Sequence, residues 1–221
     1  IIATFDPHPA RLFQPDTEPF RLTTLEQRAG LFEQAGADAM LVFRFTRDMA
    51  ALSPEKFVGD LLADHLHFGG VVTGQDFTFG ARRAGNIHVL RALGELHGIS
   101  AEAVGEVLDG ERIVSSTRIR DALKDGKPQE AARLLTRPYT IIGRVEHGDK
   151  NGRKLGFPTA NIDMGNYLRP HYGIYAVRGL LPDGRVLNGA ANLGIRPSFD
   201  PPKELLEPHF FDFDGDLYGQ T

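Results

Sequence analysis

Gly152-Arg153-Lys154-Leu155-Gly156-Phe157-Pro158-Thr159-Ala160-Asn161 brings two cations, two glycines, a proline, a hydroxyl and a carboxamide into one short stretch. Glycine lets backbone approach a ligand closely, and proline fixes φ. If the chain after Pro158 is extended, Thr159 and Asn161 project from one face, because strand side chains alternate. Neutral oxygen donors of this kind suit Mg²⁺, which takes one or two protein ligands and fills its remaining positions with water and nucleotide phosphates. Taken singly, each residue also fits an ordinary turn closed by glycine and proline. Assembled, they outline a phosphate and metal site such as a kinase needs.

On the C-terminal side of residue 137 the hydrophobic period is close to two. Tyr139 through Val145, Gly173 through Val177 and Val186 through Ala191 are strand-like, and Pro182-Asp183-Gly184-Arg185 makes a turn between two of them. Short strands with glycine-rich turns predict a small antiparallel β-barrel, a form that removes exposed edges by closing. Arg137-Pro138 breaks the preceding helical pattern and sets the expected domain boundary, 1–136 and 137–221.

Residues 1–136 alternate apolar runs with helix-period segments, which predicts an α/β domain with a parallel sheet. Ala39 through Phe43 and Gly70 through Thr73 are expected strands. Thr24 caps a helix that Gly36 stops, Ser53-Pro54 opens one over Glu55 through Leu66, and Gly98 closes one over Ile87 through His97. Ligands in such sheets bind beyond the carboxyl ends of the strands, so three loops stand out. Pro7-His8-Pro9 is stiff; alone it fits a rigid turn. Gly74-Gln75-Asp76-Phe77-Thr78-Phe79-Gly80 offers two aromatics between glycines, for a planar ring or for the core. Ser115-Ser116-Thr117-Arg118-Ile119-Arg120 sets hydroxyls and guanidiniums at a helix start, where free N–H groups and the dipole favour an anion; a plain N-cap run is the alternative.

Composition narrows the class. A net charge of -4 gives no support for a nucleic-acid or anionic-membrane partner, so small molecules are the expected partners, with self-association left open. The absence of cysteine removes disulfides, thiolate nucleophiles and Cys-ligated zinc, and is compatible with a cytoplasmic location. No apolar run approaches the roughly twenty residues of a membrane span. The opening Ile1-Ile2-Ala3-Thr4 is an apolar run already under way without a methionine, and both ends look cut.

Leu155-Gly156-Phe157-Pro158-Thr159-Ala160-Asn161 resembles the signature of riboflavin kinases, and the chain as a whole resembles the bacterial bifunctional riboflavin kinase/FAD synthetase family. Asn192 through Phe199, Leu205 through His209 and Asp212 through Gly219 extend the likeness over nearly the whole second domain. The resemblance implies a Rossmann-like nucleotidyltransferase domain followed by the small barrel. It implies Mg²⁺ on Thr159 and Asn161, Glu207 as catalytic base, and kinase nucleotide binding by Gly152, Arg153, Lys154, Gly156, Phe157 and Arg196. In the first domain it gives ATP phosphates to Ser116, Thr117 and Arg120. The flavin and nucleotide cleft falls to Pro7, His8, Pro9, Phe13, Asp76, Phe77 and Phe79. The implied reactions convert riboflavin to FMN and FMN to FAD, with ATP as co-substrate. A kinase with an inactive adenylyltransferase domain, and a flavin-binding module without turnover, are the alternatives.

Two departures accompany the resemblance. The family's opening Gly-x-Phe-Asp-Gly-x-His-x-Gly-His stretch is not among these residues, nor are its closing strand and helix. Pro208 follows Glu207 where the family commonly has an ordinary strand residue. Proline lacks the ladder donor, so the expectation is either an edge strand or a displaced Glu207. Asp212, Asp214 and Asp216 alternate as in a calcium loop but lack its closing glutamate, and are expected to form a solvated turn.

Overall fold

The computed structural model describes residues 1–146, 160–196 and 203–221. These pack as two compact units, Ile1–Thr17 with Ala29–Val114 and Glu18–Arg28 with Ser115–Thr221, and the fold is mixed α/β.

In the first unit, β1 (Ile2–Asp6) and β2 (Met40–Arg44) pair in parallel, Ile2 opposite Met40. A second parallel pair joins β3 (Gly70–Gly74) to β4 (Ser100–Val104). Parallel neighbours need crossovers, and helices supply them. α1 (Pro9–Phe13) and α2 (Leu25–Gln34) lie between β1 and β2, and α5 (Ile87–His97) between β3 and β4. Between β2 and β3 come α3 (Arg47–Ala50) and α4 (Pro54–Lys56). A ribbon of β5 (Leu108–Asp109) and β6 (Arg112–Ile113) follows.

The helix ends are written locally. Thr24 Oγ1 accepts from the Gln27 amide at 3.1 Å while Gln27 Oε1 accepts from the Thr24 amide at 2.9 Å, a reciprocal capping box. Asn86 Oδ1 caps α5 by accepting from His88 and Val89, and Gly98 ends it at φ +71°, a conformation costly for any residue with a Cβ. Ser53 caps α4, but the single helix expected to Leu66 widens into a π-helical stretch, Phe57–His65, seen in the Leu66 amide bonding back five residues to Leu61. Phe57, Val58 and Leu62 from this stretch build the core with Phe79, Ile87, Leu90 and Ile99.

In the second unit, α6 (Ser116–Lys124) and α7 (Pro128–Leu135) pack together and bury Ile119, Ala122, Leu123, Ala131 and Leu134. Beyond them lies a five-stranded antiparallel sheet. Its strands are β7 (Val145–Glu146), β8 (Asn161–Ile162), β9 (Gly173–Leu180), β10 (Val186–Arg196) and β11 (Lys203–Phe210), in the order β7-β8-β11-β10-β9. Among the described residues β7 and β9 do not pair, so the sheet is seen as an open order. The β9–β10 hairpin turns where expected: Asp183 accepts from the amide and Nε of Arg185 at 3.0 and 2.8 Å.

The strand expected over Tyr139 through Val145 is reduced to β7. Its earlier backbone groups are taken by side chains instead of a ladder. The Ile142 amide donates to the Tyr167 hydroxyl at 3.1 Å, and the Thr140 carbonyl accepts from Gln27 Nε2 at 3.1 Å. The Tyr139 hydroxyl donates to the Leu168 carbonyl at 3.2 Å; burial pushes its pKa up, so it stays a donor. Tyr139 and Ile141 thereby pack on the Met164, Tyr167 and Leu193 core, joined by Tyr175 and Leu206.

Candidate functional site

Strand register decides what meets on the sheet of the second unit. Leu206 lies opposite Ile162, and the Ala160 amide donates to the Pro208 carbonyl at 2.9 Å, so Asn161 lies opposite Glu207. Glu207 is in turn opposite Asn192 on β10, and Asn161 is opposite Glu146 on β7. Directly opposed residues share a face, with Cβ atoms about 4.5–5.5 Å apart. Glu146, Asn161, Glu207 and Asn192 therefore form one polar row across four strands. Within it Glu207 is only 6% exposed, whereas Asn192 and Glu146 are exposed.

Pro208 does not have the effect expected of it. β11 is an interior strand, flanked by β8 and β10, and Glu207 keeps its place in the ladder. In an antiparallel strand a residue's N–H and C=O point to the same side. The Pro208 carbonyl faces β8, so the missing donor faces β8 too. That strand begins only at Asn161, and the ladder to β10 loses nothing. The proline falls at the one phase that leaves Glu207 bonded to β10.

Asn161 supplies a neutral oxygen donor of the kind Mg²⁺ accepts, and the neighbouring Glu207 carboxylate is compatible with a cation there. Thr159, Gly152, Arg153, Lys154, Gly156 and Phe157 lie outside the described residues. Arg196 ends β10, and of it the backbone alone is described. Among the described residues no group of three or more His, Asp or Glu side chains could hold a metal.

At the start of α6, Ser115 is the N-cap, its Oγ accepting from the Arg118 amide at 3.2 Å. That leaves the Ser116 and Thr117 hydroxyls exposed on the first turn, beside backbone N–H groups that an N-terminus directs toward an anion. Arg120 is half-buried. Its Nε donates to the Phe20 carbonyl at 2.9 Å, and its guanidinium lies 5.4 Å from the Phe20 ring centroid. Burial lowers its pKa, opposed by neighbouring Asp121. Arg118 pairs with Glu130 at 3.5 Å, tying α6 to α7.

The loops of the first unit divide between packing and surface. His8 caps α1, its Nδ1 accepting from the Ala10 amide at 3.2 Å, with Pro7 exposed before it and Pro9 opening the helix. Phe13 is 68% exposed and meets Phe45 edge-on. Asp76 is exposed in the turn closed by the Phe77 amide and the Gly74 carbonyl. Phe79 is a core residue, 6% exposed, against Phe57; Phe77 stacks on it at 5.7 Å and is partly buried. Asp212, Asp214 and Asp216 are exposed after β11, and Asp216 accepts from the Tyr218 amide, as a solvated turn should.

Asn192 and Glu146 are the members of the polar row that sequence reasoning passes over. Alternation within each strand was legible, but the phase between strands was not.

Two known families match the chain one after the other. The FAD synthetase family matches residues 1–118 and the riboflavin kinase family residues 135–221. The bifunctional riboflavin kinase/FMN adenylyltransferase of Haemophilus influenzae is 40% identical over 220 residues, covering 99% of this chain and 71% of that protein. The protein of the same description from Escherichia coli K12 is 39% identical, covering 100% of this chain and 70% of its own. That of Bacillus subtilis is 37% identical over 224 residues. Among solved structures, one titled macrolide-efflux protein from Streptococcus pneumoniae superposes with a TM-score of 0.85 at 27% identity, covering 99% of this chain and 71% of that one. Two family matches in tandem and relatives aligned across nearly the whole sequence lead to one conclusion: the chain belongs to the bifunctional riboflavin kinase/FMN adenylyltransferase family.

Proposed function

We propose that the chain carries two ATP-dependent transfers, phosphorylation of riboflavin to FMN by residues 137–221 and adenylylation of FMN to FAD by the Rossmann-like domain of residues 1–136. The observation that carries the first is the register that sets Asn161 beside a buried Glu207. Thr159 and Asn161 would hold Mg²⁺, which when bound neutralises charge between the β- and γ-phosphates. Gly152, Arg153, Lys154, Gly156, Phe157 and Arg196 bind the nucleotide.

Glu207 accepts the proton of the ribityl hydroxyl as its oxygen bonds to the γ-phosphorus. The bridging bond from that phosphorus to the β-phosphate oxygen breaks, and ADP leaves. A base on an interior strand is held by ladder bonds on both sides, which favours orientation over reach. Partial enclosure of the riboflavin kinase sheet into a barrel is part of the same proposal.

In the second transfer an oxygen of the FMN phosphate attacks the ATP α-phosphorus and pyrophosphate leaves. Ser116 and Thr117, exposed at the α6 N-terminus, hold phosphate oxygens with Arg120 one turn behind. Pro7, His8, Pro9, Phe13, Asp76 and Phe77 line the flavin and nucleotide cleft, and Phe79 contributes by backing Phe77. The partners are riboflavin, FMN and ATP. No helix among the described residues is long and apolar enough to cross a membrane, and a cysteine-free chain acting on ATP suits the cytoplasm.

The deciding experiment is to incubate the chain with riboflavin and Mg-ATP, and separately with FMN and Mg-ATP, following FMN, FAD and pyrophosphate by chromatography. FMN from the first and FAD with equimolar pyrophosphate from the second are expected. Flavin binding with ATP turnover at background overturns the reading.

A further inference from the structure

We infer that Asn192 is a positioning residue for riboflavin phosphorylation: its carboxamide holds one oxygen of the Glu207 carboxylate so that the other faces the flavin hydroxyl. The inference rests on the kinase reading above and adds to it a residue from a different strand.

Three observations support it. Asn192 and Glu207 are directly opposed, and the backbone phase makes them a hydrogen-bonded pair. Leu206 and Pro208 point their peptide groups toward β8, so those of Glu207 point toward β10, and the same phase is seen four residues on, where the Phe211 amide donates to the Asn188 carbonyl at 2.8 Å. The two side chains thus share a face on strands that cannot slide without moving the whole sheet.

The surroundings of Asn192 also leave Glu207 as its polar neighbour within the row. On the opposite flank Asn192 faces Ile174, which is 79% exposed and has no hydrogen-bonding side chain. Along β10 the next residue on that face is Gly194, where an added Cβ would lie 4.0 Å from both carboxamide heavy atoms, an ordinary contact distance. The carboxamide thus leans along β10 toward a position that carries no side chain, and reaches the Glu207 carboxylate by side-chain rotation when the base is engaged.

The chemistry requires such a partner. A carboxylate has about four lone-pair sites, and a base must present one of them to the hydroxyl while the rest are occupied. Asn161, on the other side of Glu207, would give its carbonyl oxygen to Mg²⁺ in the proposed reaction. Asn192 has no such duty, and its amide protons are suited to the carboxylate. Asn192 is exposed and Glu207 buried on the same face of the sheet, so the carboxamide is free to turn toward the carboxylate.

The test is a double-mutant cycle on FMN formation, using the whole chain with Asn192→Ala, Glu207→Gln and the two combined. Asn192→Ala is expected to lower kcat about tenfold, with KM for riboflavin and for ATP within about twofold. In the Glu207→Gln background it is expected to do nothing further, because its action passes through the carboxylate. Asn192→Asp keeps the shape but replaces the donor with an acceptor, and is expected to be at least as slow as Asn192→Ala. Equal losses from Asn192→Ala in both backgrounds, or wild-type kcat in Asn192→Asp, overturn the inference while leaving the kinase reading intact. Wild-type turnover in Glu207→Gln removes Glu207 as the base and the inference with it, whereas FMN formation at background in the parent chain removes the kinase reading itself.

Discussion

The polar row of the second unit and the loops of the first assemble residues in opposite ways. In the row, Glu146, Asn161, Glu207 and Asn192 come from four strands and are brought side by side by register. Each loop of the first unit is instead continuous in sequence, and folding divides its residues between tasks. His8 caps a helix and Phe79 enters the core, while Asp76 and Phe13 stay exposed. Chemistry built on a sheet is fixed by pairing between distant segments. Chemistry built on loops competes, residue by residue, with local structural needs.

The sharpest way to break this contrast is Glu207→Gln. It is expected to lower FMN formation by about a hundredfold or more, the usual size of general-base assistance, with AMP transfer to supplied FMN unchanged. Parallel loss of both activities would mean that the row is structural. Asn161→Ala comes next: FMN formation should fall about tenfold at limiting Mg²⁺ and recover in part as Mg²⁺ is raised, read by titrating the metal at fixed ATP.

Ser115→Ala and Ser116→Ala separate structure from binding within a single turn. Losing the cap should cost about 1 kcal/mol in urea denaturation, whereas the exposed Ser116 should leave stability within about 0.5 kcal/mol and lower AMP transfer instead.

The smallest effect concerns the β9–β10 turn. The backbone N–H of Arg185, and then its side chain, hold the Asp183 carboxyl below its ordinary pKa. A depressed folded-state pKa stabilises the fold above the unfolded-state value, and the benefit disappears as pH falls through the folded-state value. Asp183→Asn should therefore be slightly less stable than the parent at neutral pH and converge with it below the ordinary carboxylate range, as followed by thermal melts.

Much of the fold could be read from the sequence because helix ends are local. Thr24, Ser53, Gly98 and Pro128 mark real boundaries, and the runs at Met40 and Gly70 are strands. The π-helical stretch after Lys56 was not legible, since nothing in its amphipathic pattern distinguishes a wider turn. Nor was the loss of the strand over Tyr139 through Arg144, whose backbone bonds go to Gln27 and Tyr167, far away in sequence. The site was legible in its residue types and illegible in its neighbours. Asn161 and Glu207 stood out by motif, but that Asn192 completes their row follows from pairing between strands.

Because Pro208 has no amide hydrogen, the stretch around Glu207 carries an uneven set of deuterium-exchange clocks. The Glu207 amide, turned toward β10, should exchange only when the central hairpin unzips, whereas the Ala160 amide, bonded to Pro208 from a two-residue strand, should report separation of β8 alone. Comparing the two would time the opening of the cleft beside the carboxylate in a resting molecule, before any substrate is added.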